Sequence, residues 1–251
     1  QNHMSAFYVP IRRLAYTLFG SIPQPRPQVT VYCYHSLAAD GWDFSIPFTE
    51  FKKQILYLSQ NYKFITLSDL QAYLAGKKQI TSPSVVITFD DGYADIYEIK
   101  DFLQSLNIRP TVFVLSDPGH ANRKELGTNK QFLTTRQIRQ LAAAGWEIGC
   151  HTATHPNMFS LTPSQIESEV ARSNKINYIA FPKGQYNSKI LAVVNRAGYK
   201  LALTMDDTRI SMHTDPLQIP RVGVDGTHSF AEFKVLGLPT SIFIRRSFKA
   251  L

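Results

Sequence analysis

The sequence predicts an α/β fold built on a parallel sheet. Strand-like apolar runs alternate with helix-like segments along most of the chain, which is typical of parallel strands joined by crossover helices. Two of the apolar runs end in acidic or imidazole side chains, and parallel α/β folds build their sites at such strand ends. A length of 251 residues and a hydrophobic content of 44% indicate one domain with a sizeable core.

The regular pattern occupies the middle of the chain. Residues 1–28 form an atypical N-terminal lead with a proline-rich end, and the first four of them, Gln1–Met4, resemble a remnant of cloning. Residues 29–235 are expected to form the domain. Residues 236–251 are expected to form a basic, apolar C-terminal tail.

Periodicity and turn residues place the elements of the domain. Apolar runs predict strands at 29–34, 85–89, 111–115, 147–150, 176–181 and 200–204. Apolar residues three and four positions apart predict helices at 49–61, 67–74, 96–106, 134–144, 162–173 and 188–197. Ser68 is expected to cap the second of these helices, and Gly145 to end the fourth in a left-handed conformation. A polar loop is expected at 116–131.

Two short polar segments carry the chemistry. Thr88-Phe89-Asp90-Asp91-Gly92 follows one predicted strand, and His151-Thr152-Ala153-Thr154-His155 follows another. One carboxylate with two imidazoles is a ligand set for a catalytic divalent metal that keeps an open position. The neighbouring carboxylate is then available as a general base. Either segment alone would more often be a turn or a chance spacing, but their joint placement at strand ends favours a metal-assisted hydrolase.

The two segments, followed by Phe181-Pro182-Lys183-Gly184, resemble the motifs of the polysaccharide deacetylases of the NodB-homology group, carbohydrate esterase family 4. The resemblance extends over residues 29–224. It implies a distorted (β/α) barrel of about seven parallel strands. It also implies an enzyme that uses one divalent metal ion to remove N-acetyl groups from sugars in polymers. Zinc is the favoured ion, with cobalt, nickel and iron as alternatives.

The resemblance also implies roles for individual residues. Asp90 resembles the catalytic base. The side chains that resemble the metal ligands are Asp91, His151 and His155. A backbone N–H near Lys183 is expected to help hold the oxyanion of the reaction. The expected substrate contacts are Phe181, Pro182 and Tyr186.

Two departures from the family pattern bear on the substrate. Ala180 stands where the family commonly has arginine, which resembles the branch that deacetylates poly-N-acetylglucosamine. The late histidine motif of the family is absent, and its place reads Leu217-Gln218-Ile219-Pro220-Arg221. The same branch has a histidine on its first strand, so His35 is expected to protonate the leaving amine. His213 and His228 are expected at the surface.

Net charge indicates the class of partner, and the cysteine count bears on disulfides. The net charge of +8 favours an anionic membrane or wall surface, and no motif indicates nucleic acid. Arg12-Arg13 and Arg245-Arg246 are expected either to be solvated or to rest on such a surface. Cys33 and Cys150 are expected as small buried residues, although a disulfide between them stays open. The resemblance implies a monomer that is secreted or membrane-associated and works outside the cytoplasm.

Three alternatives stay open at this point. A peptidoglycan or chitin-oligosaccharide deacetylase would have the same motifs. A hydrolase of another amide or ester also fits, because a fold does not specify a reaction. A catalytically silent sugar-binding module is expected to have lost a motif residue, yet Asp90, Asp91, His151 and His155 are all present.

Overall fold

The computed structural model describes residues 3–20, 24–171 and 176–249, with side chains for 10–18, 24–171 and 176–245. Within these residues the strands are β1 (Val29–Tyr34), β2 (Lys63–Phe64), β3 (Ser84–Phe89), β4 (Thr111–Val114), β5 (Glu147–Cys150), β6 (Tyr178–Ala180), β7 (Leu201–Leu203) and β8 (Val222–Gly223). They form one sheet in the order β7-β6-β5-β4-β3-β1-β8, with β2 paired to β3. Each of these pairings is parallel. The sheet curls into a half-barrel, which confirms the predicted distorted (β/α) barrel in a single domain.

The described helices are α1 (His3–Gly20), α2 (Phe48–Asn61), α3 (Leu67–Leu74), α4 (Lys100–Ser105), α5 (Arg123–Leu126), α6 (Thr135–Ala143), α7 (Pro163–Glu169), α8 (Ser188–Arg196), α9 (Phe230–Leu236) and α10 (Pro239–Lys249). Short 3₁₀ turns lie at Ala94–Ile99, Pro118–His120, Met158–Ser160 and Pro182–Gly184. None of the described helices is both long and apolar enough to cross a membrane.

Local signals explain where several helices begin and end. Thr66, not Ser68, caps α3, because its side chain accepts from the Asp69 N–H while Asp69 accepts from the Thr66 N–H. The predicted cap at Ser68 is therefore wrong, and the Ser68 N–H and hydroxyl contact Glu147 instead. Gly145 follows α6 with φ of 89°, as predicted.

Several boundaries differ from the predicted ones. The helix predicted at 96–106 begins as a 3₁₀ turn and becomes α4 only at Lys100. The helix predicted at 162–173 is observed at Pro163–Glu169, and its last two predicted residues lie outside the described part of the chain. The predicted polar loop at 116–131 contains α5.

An aromatic cluster beneath the end of β3 fixes the position of the residues that follow it. Phe89, the last residue of β3, is fully buried. Its ring centroid lies 5.7 Å from those of Tyr34, Phe51 and Trp146. Removing such a buried aromatic ring typically costs about 3–5 kcal/mol. This packing therefore anchors the backbone from which Asp90 emerges.

The two ends of the described chain pack together. Helix α1 contacts both α9 and α10. Arg12 is 6% exposed and binds Glu232 at 2.9 Å, and the Nε of Arg245 donates to Asp207 at 2.6 Å. The expectation of solvated or surface-bound arginines is therefore wrong for Arg12 and Arg245, because each guanidinium has a carboxylate partner inside the fold.

Candidate active site

The predicted catalytic and metal-binding residues lie together at the carboxyl edge of the sheet. They follow β1, β3, β5 and β6, whose ends meet because these strands run parallel. They line one cavity of about 640 Å³. The predicted residues in its wall are His35, Asp90, Asp91, His151, His155 and Lys183.

Asp91, His151 and His155 point at a common centre. Nε2 of His151 lies 3.3 Å from Oδ1 of Asp91, and Nε2 of His155 lies 3.5 Å from the same oxygen. One ligand atom from each residue falls within 4.8 Å of the other two. All three residues are buried. The geometry therefore gathers one carboxylate and two imidazoles on one side of the cavity.

The tautomer of His151 indicates what belongs at this centre. Its Nδ1 lies 2.9 Å from the carbonyl oxygen of Ala180, which only accepts, so Nδ1 carries the hydrogen. In neutral imidazole the other nitrogen, Nε2, then presents a lone pair to the Asp91 oxygen. Either a cation or a second proton on Nε2 satisfies this pair of facing atoms. Burial opposes that proton, but Asp90 and Asp91 outweigh burial and raise the pKa of His151.

The donor set fits a divalent metal ion. Oδ1 of Asp91 is buried and has no hydrogen-bond partner among the described residues, although both imidazoles approach it. Its surroundings match the two-histidine, one-carboxylate set that transition metals favour. Burial and the charge of a protonated His151 lower the pKa of His155 to about 4, so this second imidazole is neutral near pH 7.

Unusual backbone conformations shape the segments that contain the three converging residues. Asp91, Thr152 and His155 have φ of 65°, 67° and 57°, in the left-handed region that non-glycine residues rarely occupy. Glu169, at the end of α7, holds the histidine segment in this shape. Its carboxylate accepts from the N–H of Ala153, and from the N–H and hydroxyl of Thr154. Such strain is found at functional sites, where surrounding contacts enforce it.

Asp90 is locked by an arginine that sequence analysis did not identify. Arg221 donates from Nη1 to Oδ1 at 2.7 Å and from Nη2 to Oδ2 at 2.8 Å. Its Nε also donates to the Thr204 carbonyl at 3.2 Å. Burial opposes ionisation of Asp90, but the charge of Arg221 outweighs it, so the pKa of Asp90 lies well below its ordinary value. Asp90 is therefore a fixed carboxylate.

Cys33 lies beneath Asp90. Cys33 and Cys150 are both buried and free, which confirms the first expectation for them. The Cys33 sulfur is 3.4 Å from Oδ2 of Asp90, and burial raises the pKa of its thiol. Cys33, His35 and Asp90 also bring donor atoms within 4.8 Å of one another. Because the Cys33 thiol stays protonated, this second cluster lacks the thiolate that a metal ion would bind.

His35 lies at the end of β1 and opens into the cavity. Its ring centroid is 5.1 Å from that of Phe44. Its Nδ1 is buried without a hydrogen-bond partner among the described residues. A ring nitrogen of His35 lies within 4.8 Å of a carboxylate oxygen of Asp90. His35 therefore occupies the same site as the predicted base and ligands.

The residues after β6 divide between the cavity and the core. Lys183 lines the cavity with φ of 54°, and its Nζ binds Glu125 at 2.5 Å. Phe181 and Pro182 are buried and lie outside the cavity wall, because the chain turns Phe181 into the core. Tyr186 stacks on Phe181 at 5.7 Å and donates to Asp206 at 2.6 Å. None of these three expected substrate contacts therefore lines the cavity that holds the predicted catalytic residues.

His213 and His228 differ in position. His213 is exposed, as predicted. The side chain of His228 is only 9% exposed, pairs with Asp225 at 3.0 Å and lines the cavity. The expectation of a surface position is therefore wrong for His228, because the Asp225 carboxylate draws the imidazole inward.

Comparisons with known proteins agree with this geometry. The sequence model of the polysaccharide deacetylase family matches residues 77–202, half of the chain. YxkH of Bacillus subtilis (strain 168) is 29% identical over 217 residues, which cover 82% of this chain and 75% of YxkH. The poly-β-1,6-N-acetyl-D-glucosamine N-deacetylase of Staphylococcus aureus (strain MRSA252) is 26% identical over 200 residues, covering 72% of this chain and 68% of that protein.

A solved structure shares the fold. IcaB from Ammonifex degensii superposes with a TM-score of 0.72 at 24% identity, over 85% of this chain and 97% of IcaB. The family match covers the strand that leads to the paired aspartates and the strand that leads to the two histidines. The chain therefore belongs to the polysaccharide deacetylase family.

Proposed function

We propose that the protein is a metal-dependent hydrolase that removes N-acetyl groups from polysaccharides containing N-acetylglucosamine, with poly-N-acetylglucosamine as the favoured substrate. One observation carries the proposal. Asp91, His151 and His155 converge beside an ionised Asp90, and His35 shares the same open cavity. The name of the Staphylococcus aureus relative supports the choice of polymer.

Asp91, His151 and His155 would hold the ion, with zinc favoured. When bound, it would polarise the acetyl carbonyl and make a nearby water more acidic. Asp90 takes the proton from the attacking water, because Arg221 keeps its carboxylate ionised. The Lys183 N–H stabilises the oxyanion that forms on the former carbonyl. His35 gives a proton to the amine as the carbon–nitrogen bond breaks, since an amide nitrogen leaves poorly as an anion.

We place this activity outside the cytoplasm, with the protein acting as a monomer at an anionic membrane or wall surface. The net charge of +8 supports attraction to such a surface. Ile11, Leu14 and Leu18 on α1 are 55%, 60% and 59% exposed, which leaves apolar area for contact.

The test is acetate release from defined substrates. Purified protein is incubated with oligomers of β-1,6-linked N-acetylglucosamine, chitin oligosaccharides and peptidoglycan fragments, with added zinc or with a chelator. We expect release from the β-1,6 oligomers that chelator abolishes and zinc restores. Release from chitin or peptidoglycan alone would reassign the substrate. Release that is insensitive to chelator would refute the metal-dependent mechanism.

Asp90→Asn separates catalysis from binding in the same assay. An amide cannot accept the proton, so turnover should fall by about 10²–10⁴-fold while the metal content stays unchanged. His213→Ala is the matched control, because His213 is an exposed residue outside the cavity. If the protein were a silent sugar-binding module, the unmodified chain would bind these oligomers without releasing acetate.

A further inference from the structure

The connection between β1 and α2 forms an aromatic wall of the active-site cavity. Trp42 and Phe44 both line the cavity, and Phe44 is 46% exposed. Their ring centroids are 5.4 Å apart, and the Phe44 ring is 5.1 Å from His35. The three rings therefore form a row that leads outward from the proposed proton donor.

This wall is held in place at its base. The Trp42 ring meets the buried Tyr93 edge-on at 5.5 Å. The N–H of Ser36 donates to the Phe44 carbonyl at 3.3 Å, and the N–H of Ile46 donates to the Ser36 carbonyl at 3.0 Å. These contacts hold the backbone of the loop on both sides of the Phe44 ring and one edge of the Trp42 ring.

The segment at Gly226 also contacts this loop directly. The N–H of Gly226 donates to the Asp43 carbonyl at 2.7 Å. A Cβ atom at Gly226 would lie 2.3 Å from the Ser45 carbonyl oxygen, so only glycine allows this close approach. The position of Trp42 and Phe44 is thus built into the fold.

Trp42 and Phe44 give the cavity an apolar surface beside charged side chains. Much of the remaining cavity wall is charged, including Asp90, Glu125, Lys183 and Arg221. Binding sites combine a few polar groups with apolar surfaces that a ligand covers. The faces of a pyranose ring carry axial C–H groups, which suit an aromatic face, while its hydroxyls suit the polar groups around it.

We propose that Trp42 and Phe44 form a stacking platform for a second sugar of the substrate, next to the N-acetylated sugar that reacts. The proposal rests on the proposed function. It assigns the enzyme a preference for oligomers over single sugars, because only an oligomer reaches the reaction centre and the platform together. Phe44 also contacts His35, whereas Trp42 is joined to His35 only through the Phe44 ring.

Tryptophan fluorescence provides a direct test. The chain has two tryptophans, and Trp146 is 4% exposed and stacked on Phe89 in the core. A ligand in the cavity therefore changes the emission of Trp42. Asp90→Asn protein is titrated with the pentamer of β-1,6-linked N-acetylglucosamine, so that turnover does not consume the ligand. We expect saturable quenching or a spectral shift, which disappears in the Asp90→Asn, Trp42→Phe double variant.

Kinetics provide the second arm. Trp42→Ala should raise KM for the pentamer about ten-fold while kcat changes less than about two-fold. Trp42→Leu also removes the aromatic ring, but it keeps an apolar side chain that packs in the loop. Phe159→Ala is the control, because Phe159 is 55% exposed and lies outside the cavity wall. A structural role for Trp42 would instead lower kcat and the melting temperature.

The outcomes separate the platform from the reaction. Acetate release with an unchanged KM in both Trp42 variants overturns the platform and leaves the proposed function intact. Pentamer binding that changes Trp42 emission without acetate release supports the platform and overturns the proposed function. An unmodified protein that neither binds the pentamer nor releases acetate from it refutes both.

Discussion

Single side chains at the site depend on partners that are distant in sequence. Arg221 binds Asp90 across 131 positions, and Glu169 anchors the histidine segment from the end of α7. The motif residues were predictable because they stand in short contiguous segments after strands. Arg221 was not, because one arginine among 27 basic residues gives no local sign of a carboxylate so far away. Only its place beside Asp90 in the folded protein shows what Arg221 does.

His35 tests the assignment of the proton donor. His35→Ala should lower turnover by about 10²–10⁴-fold, because the leaving amine loses its source of a proton. The metal content should stay unchanged, since His35 is not one of the three converging ligands. Steady-state kinetics and elemental analysis of the same preparation check both expectations. Near-normal turnover would exclude His35 as the proton donor. The remaining candidate would be His228, which lines the cavity and is not one of the converging ligands.

Asp225 makes stability depend on pH. Burial would raise the pKa of Asp225, but its hydrogen bond and ion pair with His228 outweigh burial and hold the pKa at about 2, against 3.8 ordinarily. A depressed folded-state pKa stabilises the protein above the unfolded value, and this stabilisation of about 2 kcal/mol is lost as pH falls through about 2.

Asp225→Asn removes this contribution. In urea unfolding, the stability difference between the unmodified protein and Asp225→Asn should narrow by about 1 kcal/mol between pH 6 and pH 3. The direction follows because protonation of the unfolded chain begins near pH 4, where folded Asp225 is still charged. A stability difference between the two proteins that is constant from pH 6 to pH 3, or that grows toward pH 3, would contradict the low pKa of Asp225.

At the scale of elements, long buried strands were predictable and short paired ones were not. β1 and β5 match the predicted ranges, and β3 differs by one residue. β2 and β8 were missed because each has only two residues and exists through pairing with a neighbour. Helices α9 and α10 were missed for a different reason. The segment of α9 has helical signals that were overlooked, a Ser229-to-Glu232 capping box and apolar residues three positions apart, whereas α10 lies in a tail read only for its basic and apolar composition.

Helix α1 has an inverted distribution of side chains. Arg12 and Tyr16 face inward and are 6% and 2% exposed, whereas Ile11, Leu14 and Leu18 face outward on one stripe. Neither α1 nor α10 contains an acidic residue. An exposed apolar stripe on a chain with a net charge of +8 suits an anionic lipid surface. We therefore expect α1 to contact such a surface.

Vesicle cosedimentation tests this expectation. The protein should sediment with phosphatidylglycerol vesicles at low salt and less with neutral phosphatidylcholine vesicles. Leu14→Glu should weaken sedimentation, because it places a negative charge at the centre of the stripe. Leu56→Glu is the matched control, since Leu56 is 46% exposed on α2. Equal binding by the two variants, or no binding to anionic vesicles, would leave α1 without this role.

At the scale of the whole molecule, the ligand triad joins two separate parts of the sheet. Asp91 follows β3, and both histidines follow β5. An ion that binds only the folded protein stabilises it by about 2.7 kcal/mol at one hundred times its Kd. For a chain of this length that corresponds to an increase in Tm of about 5–10 °C.

Thermal unfolding with and without zinc measures this increase. His151→Ala should show no shift, because it removes a ligand from the converging set. His213→Ala should keep the shift, since His213 is exposed away from the site. A shift of equal size in both variants would place the stabilising ion elsewhere.

The fold class was predictable because alternating strands and helices leave few arrangements for a parallel sheet. The curl toward a barrel was expected only from the family resemblance, because it depends on pairings between distant strands, such as β1 with β8. The path of α1 across α9 and α10 depends on contacts such as Arg12 with Glu232, 220 positions apart. Such contacts have no signature within either segment.

The bond between Asp90 and Arg221 also imposes an order on biosynthesis. Asp90 leaves the ribosome 131 residues before Arg221. At about 5–20 residues per second, the carboxylate waits roughly 7–26 s for its guanidinium partner. A lone ionised carboxylate is costly to bury, so the end of β3 should stay hydrated or chaperone-bound during that interval. A ribosome that stalls before it adds Arg221 would therefore hold a nascent chain in which the Asp90 carboxylate cannot yet be enclosed.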